Sequence, residues 1–335
     1  MQSAHAPARQ GTCVVTFDVA GSFQSFRSKG LQVPGRDDPI FARLRQSLLE
    51  RVVKAFPGIT VVPIDKDKLR AEIWHQVNDR IVRDSKRAVL VTCSEMAAQN
   101  PKDEGLNLSI NRLFDRDGKM LGYGPRPGFD YLDKQFDELV RKIAGRHVIL
   151  AKEGAFRGDT CRFILKELEK RGVSVVSTII GFTDIRSKAS IEQEFGGELA
   201  VIHLYDHLIE WIADRDLIPF MPGCGRVVGE HSTHSFMPVR TADGFSCAYP
   251  YVAPFGLTEK WMSLSEPDAR ELSRAFLDFG IELFGRIGPE STAGELLGDN
   301  PRVSMPVIVA DHGRIPAKEI KIVEFLQRVR KTLAD

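Results

Sequence analysis

Short β-prone apolar runs alternate with longer stretches of helical spacing over the first two hundred residues. Cys13-Val14-Val15-Thr16-Phe17 is a buried-strand run that stops at Asp18-Val19-Ala20-Gly21-Ser22. From Asp38 to Phe56, Ile40, Leu44, Leu48, Leu49, Val52 and Val53 recur on one helix side, and Pro57-Gly58 ends that helix. A strand is expected over 60–64, a helix over 66–83 and a second buried strand over 88–92. Residues 95–105 read as loop. Leu106 to Phe114 alternates, and Asp115-Arg116-Asp117-Gly118-Lys119 has hairpin-turn chemistry. The Gly- and Pro-rich run Gly122 to Gly128 reads as irregular. Helical spacing returns over 131–143, a strand over 147–151, a helix over 161–171 ended by Gly172, and a strand over 173–180.

This alternation predicts an α/β fold: a mainly parallel sheet with flanking helices, plus a mixed C-terminal region. Leu199 to His203 reads as the last strand of the core, followed by a helix through Asp214. Residues 215–260 have little periodicity. Ser265 is placed to N-cap a helix carrying early carboxylates, and Pro316 to begin a terminal helix with Ile320, Val323, Leu326 and Val329 on one side. Three regions are expected: an N-terminal α/β region over 1–120, a phosphate-binding core over 121–215, and a loop-rich and helical region over 216–335.

Composition narrows the function classes. The hydrophobic fraction of 43% and charged fraction of 27% are those of an ordinary soluble globular chain. A net charge of +1 gives no long-range field toward nucleic acid or an anionic membrane. The five cysteines (Cys13, Cys93, Cys161, Cys224, Cys247) are scattered, as expected of reduced thiols in a cytoplasmic protein. No signal peptide or membrane-spanning run is expected.

The chemistry concentrates at residues 147–181. An apolar strand runs into Lys152-Glu153-Gly154-Ala155-Phe156-Arg157-Gly158-Asp159-Thr160, which opens a helix. Glycines let a backbone approach an anion, and the first amides of a helix, with its dipole, favour negative charge. Thr160 adds a hydroxyl donor, and Glu153 stands where it can reach sugar hydroxyls or a hydrated metal. This segment resembles the phosphoribosyl-pyrophosphate (PRPP) motif of type I phosphoribosyltransferases: an apolar strand, two acids, three variable residues and a Thr-Gly-Gly-Thr-like turn. The resemblance implies a phosphoribosyltransferase-like core that binds PRPP or a nucleoside monophosphate. Glu153 would contact the ribose and serve catalysis. Lys152, Gly154, Arg157, Gly158, Asp159 and Thr160 would surround the phosphate, with Mg²⁺ assisting pyrophosphate departure and a homodimer expected. The chain departs from the motif in three places: Lys152 replaces the first acid, Arg157 the first Thr and Asp159 the second Gly. Such departures also fit a non-catalytic nucleotide-binding or regulatory protein. Arg126, in the Gly- and Pro-rich run upstream, is the candidate cation for a pyrophosphate loop.

Two other readings stay open. Asp18 follows a buried strand as the nucleophile of haloacid-dehalogenase-like phosphohydrolases does, and Thr92 can stand in for that family's second-motif hydroxyl, but no Lys and paired-acid motif is visible to hold the cation. His203 and His207, spaced for one helix face, and His231 and His234 near Cys224 meet no recognised metal-ligand spacing. Leu217 to Arg226 is a Gly- and Pro-rich loop able to close over an apolar ligand, with Arg226 facing its charge. Tyr249, Tyr251 and Phe255 are core or base-stacking aromatics.

Overall fold

The computed structural model describes residues 11–84, 88–93, 106–115, 117–221, 223, 225–232, 235–239, 248–297 and 319–333. In chain order the elements are β1 (Thr12–Phe17), α1 (Val19–Phe23), α2 (Pro39–Ala55), β2 (Thr60–Asp65), α3 (Lys66–Arg83), β3 (Ala88–Thr92), β4 (Leu106–Asn107), β5 (Ile110–Phe114), β6 (Met120–Pro125), α4 (Leu132–Ile143), β7 (His147–Ala155), α5 (Asp159–Lys170), β8 (Val175–Asp184), α6 (Ile185–Glu194), β9 (Glu198–Tyr205) and β10 (Leu208–Ala213). Then follow β11 (Arg226–Val227), β12 (Gly229–Ser232), β13 (Ser235–Pro238), β14 (Ala248–Tyr249), α7 (Thr258–Trp261), α8 (Glu266–Ile287), α9 (Ala293–Leu297) and α10 (Ile322–Thr332).

The expected α/β class is observed. One parallel sheet has the strand order β10-β1-β2, and a larger parallel sheet has the order β4-β3-β7-β8-β9. Helices flank both. Strands β9 and β10 are separated by two residues, so one run of chain leaves the edge of the larger sheet and enters the smaller one. Helix α3 fills the angle between the sheets. Its Leu69, Ile73 and Val77 pack with Val14 of β1, Leu90 of β3, Ile149 of β7 and Ile179 of β8. The other face of the larger sheet buries Val148, Leu150 and Ile180 against Phe136 and Leu139 of α4 and Ile164 and Leu168 of α5. A third core gathers Phe23, Phe41, Leu44 and Leu48 with Phe276, Phe284, Phe325 and Leu326, joining α1 and α2 to α8 and α10.

Local signals explain most boundaries. Asp38 caps α2 by accepting from the Ile40 amide at 3.0 Å, with Pro39 at the first helical position. Asp65 caps α3 through the amides of Asp67 and Lys68, and Ser265 caps α8 through that of Asp268.

Several expectations are corrected. Residues 208–213, expected as helix, form strand β10: Leu208 and Ile212 are four apart, which imitates a helix face, but parallel pairing with β1 takes up the backbone. His203 and His207 therefore share no helix face. The run from Gly122, expected as irregular, is strand β6 as far as Pro125, paired with β5 across the expected turn. A Cβ at Gly122 would lie 2.4 Å from the Phe236 ring, and one at Gly124 2.4 Å from Leu113, so glycine is what permits this close approach. Strand β7 continues to Ala155, four residues past its expected end, because β8 pairs with it that far. The terminal helix starts at Ile322; Pro316 lies outside the described residues, as do Cys224, Cys247, His234 and residues 95–105. Among the described residues no helix is long and apolar enough to cross a membrane.

The contact between β7 and β8 leaves no room at Gly181, where a Cβ would sit 2.3 Å from the Glu153 carbonyl oxygen and 3.0 Å from Leu69. Gly181→Ala is expected to cost about 1–3 kcal/mol, the usual range for overpacking a core, read from urea denaturation with unchanged far-UV circular dichroism.

Candidate functional site

The carboxyl ends of parallel strands are where α/β proteins place their ligands, and here both sheets end in charged side chains. At the first centre, Lys66 at the start of α3 is 1% exposed. Its Nζ donates to Asp18 Oδ2 at 2.8 Å and lies 2.9 Å from Glu153 Oε1, off the angle of a hydrogen bond. Arg215 Nη1 is 3.1 Å from the same Asp18 oxygen. Asp214 accepts from the amides of Asp18 at 2.9 Å and Val19 at 3.2 Å, which fixes the turn after β1 against the end of β10. Asp18, Lys66, Glu153, Asp214 and Arg215 thus tie together β1, α3, β7 and the turn after β10.

The electrostatics follow from burial and neighbours. Burial pushes the Asp18 carboxyl up, and Arg215 with Lys66 outweighs that and holds it below the ordinary carboxylate range. Burial and Arg215 oppose charge on Lys66, while Asp18 and Glu153 outweigh them and raise its pKa. Burial, reinforced by the adjacent Asp18, raises Asp214 well above the ordinary range.

The second centre lies around the β7–α5 turn. A cleft of about 720 Å³ opens between that turn, the start of α6 and the β9–β10 turn. Arg157, Arg186 and His207 supply cationic or cation-capable groups, Ser190 a hydroxyl, and Phe156, Leu208 and Ile209 apolar wall. The Asp184 carboxylate at its base is occupied by the amides of Ser187 at 2.7 Å and Leu208 at 3.2 Å. Both arginines are exposed, and neither has an ion pair among the described residues. The volume is that of an ordinary small-molecule site.

The residues singled out in the sequence are distributed rather than gathered. Lys152 points to the face that buries Cys93 and Cys161, whose thiols burial pushes up to about 12 and about 11. Glu153 points to the opposite face, into the Lys66 cluster. Gly154 lies against the ring of Phe182, where a Cβ would be 2.4 Å away. Gly158 is the N-cap of α5, with φ of +74° and a hypothetical Cβ 3.1 Å from Ile191 of α6. No side chain caps that helix. Asp159 is held by Arg162 at 2.5 Å, and Thr160 is half-buried in the first turn of α5. Of the candidates Lys152, Glu153, Gly154, Arg157, Gly158, Asp159 and Thr160, only Arg157 lines the cleft. Arg126 donates to the Gly223 carbonyl at 2.8 Å, which makes it a brace between β6 and the 220s. Thr92 donates to Asn107, and His203 pairs with Glu72. Leu217, Ile218, Phe220 and Met221 are buried in the core, so this first half of the run expected to close over a ligand is packed inside the protein.

Sequence reasoning missed Lys66, Asp214, Arg186 and His207 as partners. Lys66 had a signal, a cation directly after a strand-ending Asp65; the others emerge only from pairing. Among the described residues no group of three or more His, Cys, Asp or Glu is placed to hold a metal ion. With Lys152 in place of an acid and Glu153 beside Lys66, the donor set does not fit Mg²⁺.

Two measurements probe the cluster. Lys66→Met, which strands Glu153 in the interior, is expected to cost about 3–5 kcal/mol by urea denaturation, and adding Glu153→Gln recovers part of the loss. A raised carboxyl favours the fold while protonated, and that contribution is lost as pH rises from the unfolded value near 3.8 toward the folded one. Asp214→Asn, which keeps an oxygen for the two amides, is therefore expected to gain Tm relative to wild type progressively as pH rises above about 4.

Compared with known proteins, the chain matches no family model, no curated sequence and no solved structure.

Proposed function

We propose that the protein binds a phosphate-bearing ligand of the nucleotide or phosphoribosyl type in the cleft between the β7–α5 turn, α6 and the β9–β10 turn. The observation that carries this is the pair Arg157 and Arg186, two guanidinium groups without carboxylate partners among the described residues, at the rim of a 720 Å³ cleft. Guanidinium offers a planar fork that grips phosphate oxygens two at a time. Ser190 adds a hydroxyl, and the apolar strip of Phe156, Leu208 and Ile209 gives a sugar or base a surface to rest on. The amino end of α6 contributes favourable dipole, partly offset by its Asp184 cap.

Binding without transfer is the form of this reading that the side chains favour. A phosphoribosyl transferase would need Glu153 free for the ribose, and its carboxylate is 4% exposed beside Lys66. The Asp18 phosphohydrolase reading gains Lys66 as a neighbouring cation, but Lys66 and Arg215 both hold its Oδ2, and its other oxygen, Oδ1, is buried away from solvent. The role that suits these residues is nucleotide sensing or docking of a phosphorylated partner molecule.

Calorimetric titration with nucleoside monophosphates, PRPP and a short 5′-phosphorylated oligonucleotide tests the reading and ranks free against terminal phosphate esters. Arg157→Gln and Arg186→Gln are each expected to weaken binding by about tenfold to a hundredfold, as loss of a charged hydrogen bond does. Glu153→Gln is expected to leave affinity unchanged, and no pyrophosphate is released from PRPP. Equal affinity in wild type and the double arginine variant would refute the assignment.

A further inference from the structure

Away from both centres, aromatic rings enclose the guanidinium of Arg226 at the start of β11. The ring centroids of Phe114, Trp261 and Tyr251 lie 4.3, 4.8 and 5.2 Å from its central carbon. Arg112, two residues before Phe114 on β5, stands 5.7 Å from that same ring. Attraction to ring faces restrains a guanidinium but satisfies none of its N–H groups, which point outward in its plane and need oxygen acceptors. Among the described residues Arg226 Nε is buried with no hydrogen-bond partner, and neither Arg226 nor Arg112 has an ion pair.

A separate donor points to the same deficit. Trp261 is 6% exposed, and its indole Nε1 is buried without an acceptor. It faces the β5–β6 turn, where a Cβ at Gly118 would come within 3.5 Å. A buried donor left unmade costs free energy, and native proteins rarely keep two together. The nearest acid does not resolve this. Glu210 of β10 feels the charge of both arginines but forms no ion pair with either, and its carboxyl accepts from the Trp211 amide at 3.1 Å.

We propose that Arg226, Arg112 and the indole N–H of Trp261 form a second oxyanion site, one that takes the phosphate or carboxylate group of a small ligand. The aromatic rings hold the guanidinium plane fixed, and the anion completes the hydrogen bonds of its edge. Both arginines and Tyr251 are half-buried, so the group is not sealed within the core. The site shares no residue with the cleft of Arg157 and Arg186 and stands independently of it.

The test uses the full chain, inorganic phosphate and acetate as probes, and tryptophan emission beside calorimetry. To separate the two sites it is run in the Arg157→Gln/Arg186→Gln background. Phosphate or acetate is expected to change the emission there, and whichever binds more tightly names the ligand's charged group. Arg226→Gln is expected to abolish binding. Arg226→Lys, which keeps the charge and loses the fork, weakens it roughly tenfold. Trp261→Phe removes the emission change and leaves weaker calorimetric binding. Arg112→Gln gives the same reading through weakened binding if Arg226→Gln does not fold. Absence of heat and emission change with both anions at millimolar concentration, or unaltered binding in folded Arg226→Gln or Arg112→Gln, overturns the proposal.

Discussion

An ammonium group removed from water must find negative charge where it sits, and Lys66 finds it on two separate strands. Asp18 ends β1 in the smaller sheet, and Glu153 stands near the end of β7 in the larger one. Removing either carboxylate leaves charge uncompensated in the interior, so the two sheet ends are held at a fixed separation by the length of one side chain. Helix α3 begins at that same lysine, and its apolar face fills the angle between the sheets. The placement of the cleft, which lies at the ends of β7, β8 and β9, inherits this geometry.

The two charged regions illustrate opposite solutions to one problem. Inside, the charges of Arg215 and Lys66 are met by Asp18, and the Asp214 carboxyl is held by backbone amides. Such pairing fixes position and consumes the groups that chemistry would need, which is why Glu153 reads as a structural anchor. At the cleft rim, Arg157 and Arg186 face solvent with their forks open. Guanidinium stays charged at any physiological pH, so an open fork is a standing donor to phosphate oxygens.

The local elements were legible because each carries its own signal. Asp38-Pro39 and Ser265-Glu266-Pro267 announce helix starts, and the short apolar runs at 13–17, 88–92 and 147–151 announce buried strands. The errors fall where a partner decides. Leu208 to Ala213 carries helical spacing but is a strand because β1 offers it a ladder, and β6 tolerates its glycines because Phe236 and Leu113 lie directly over them. The Lys66 cluster was invisible for a different reason: Asp18 is 48 residues from Lys66 and 196 from Asp214. Turn 152–160 was recognisable as a strand-to-helix junction, but strand alternation sends Lys152 and Glu153 to opposite faces, which a linear motif does not encode.

The passage of one chain segment from β9 to β10 has a mechanical consequence. Residues 207–209 form part of the cleft wall, and the strand they enter delivers Asp214 to the amides of Asp18 and Val19. No hinge of independent residues separates the two. The cleft wall and the carboxyl group that holds the turn after β1 therefore lie at the two ends of one uninterrupted strand, so the two cannot be placed separately.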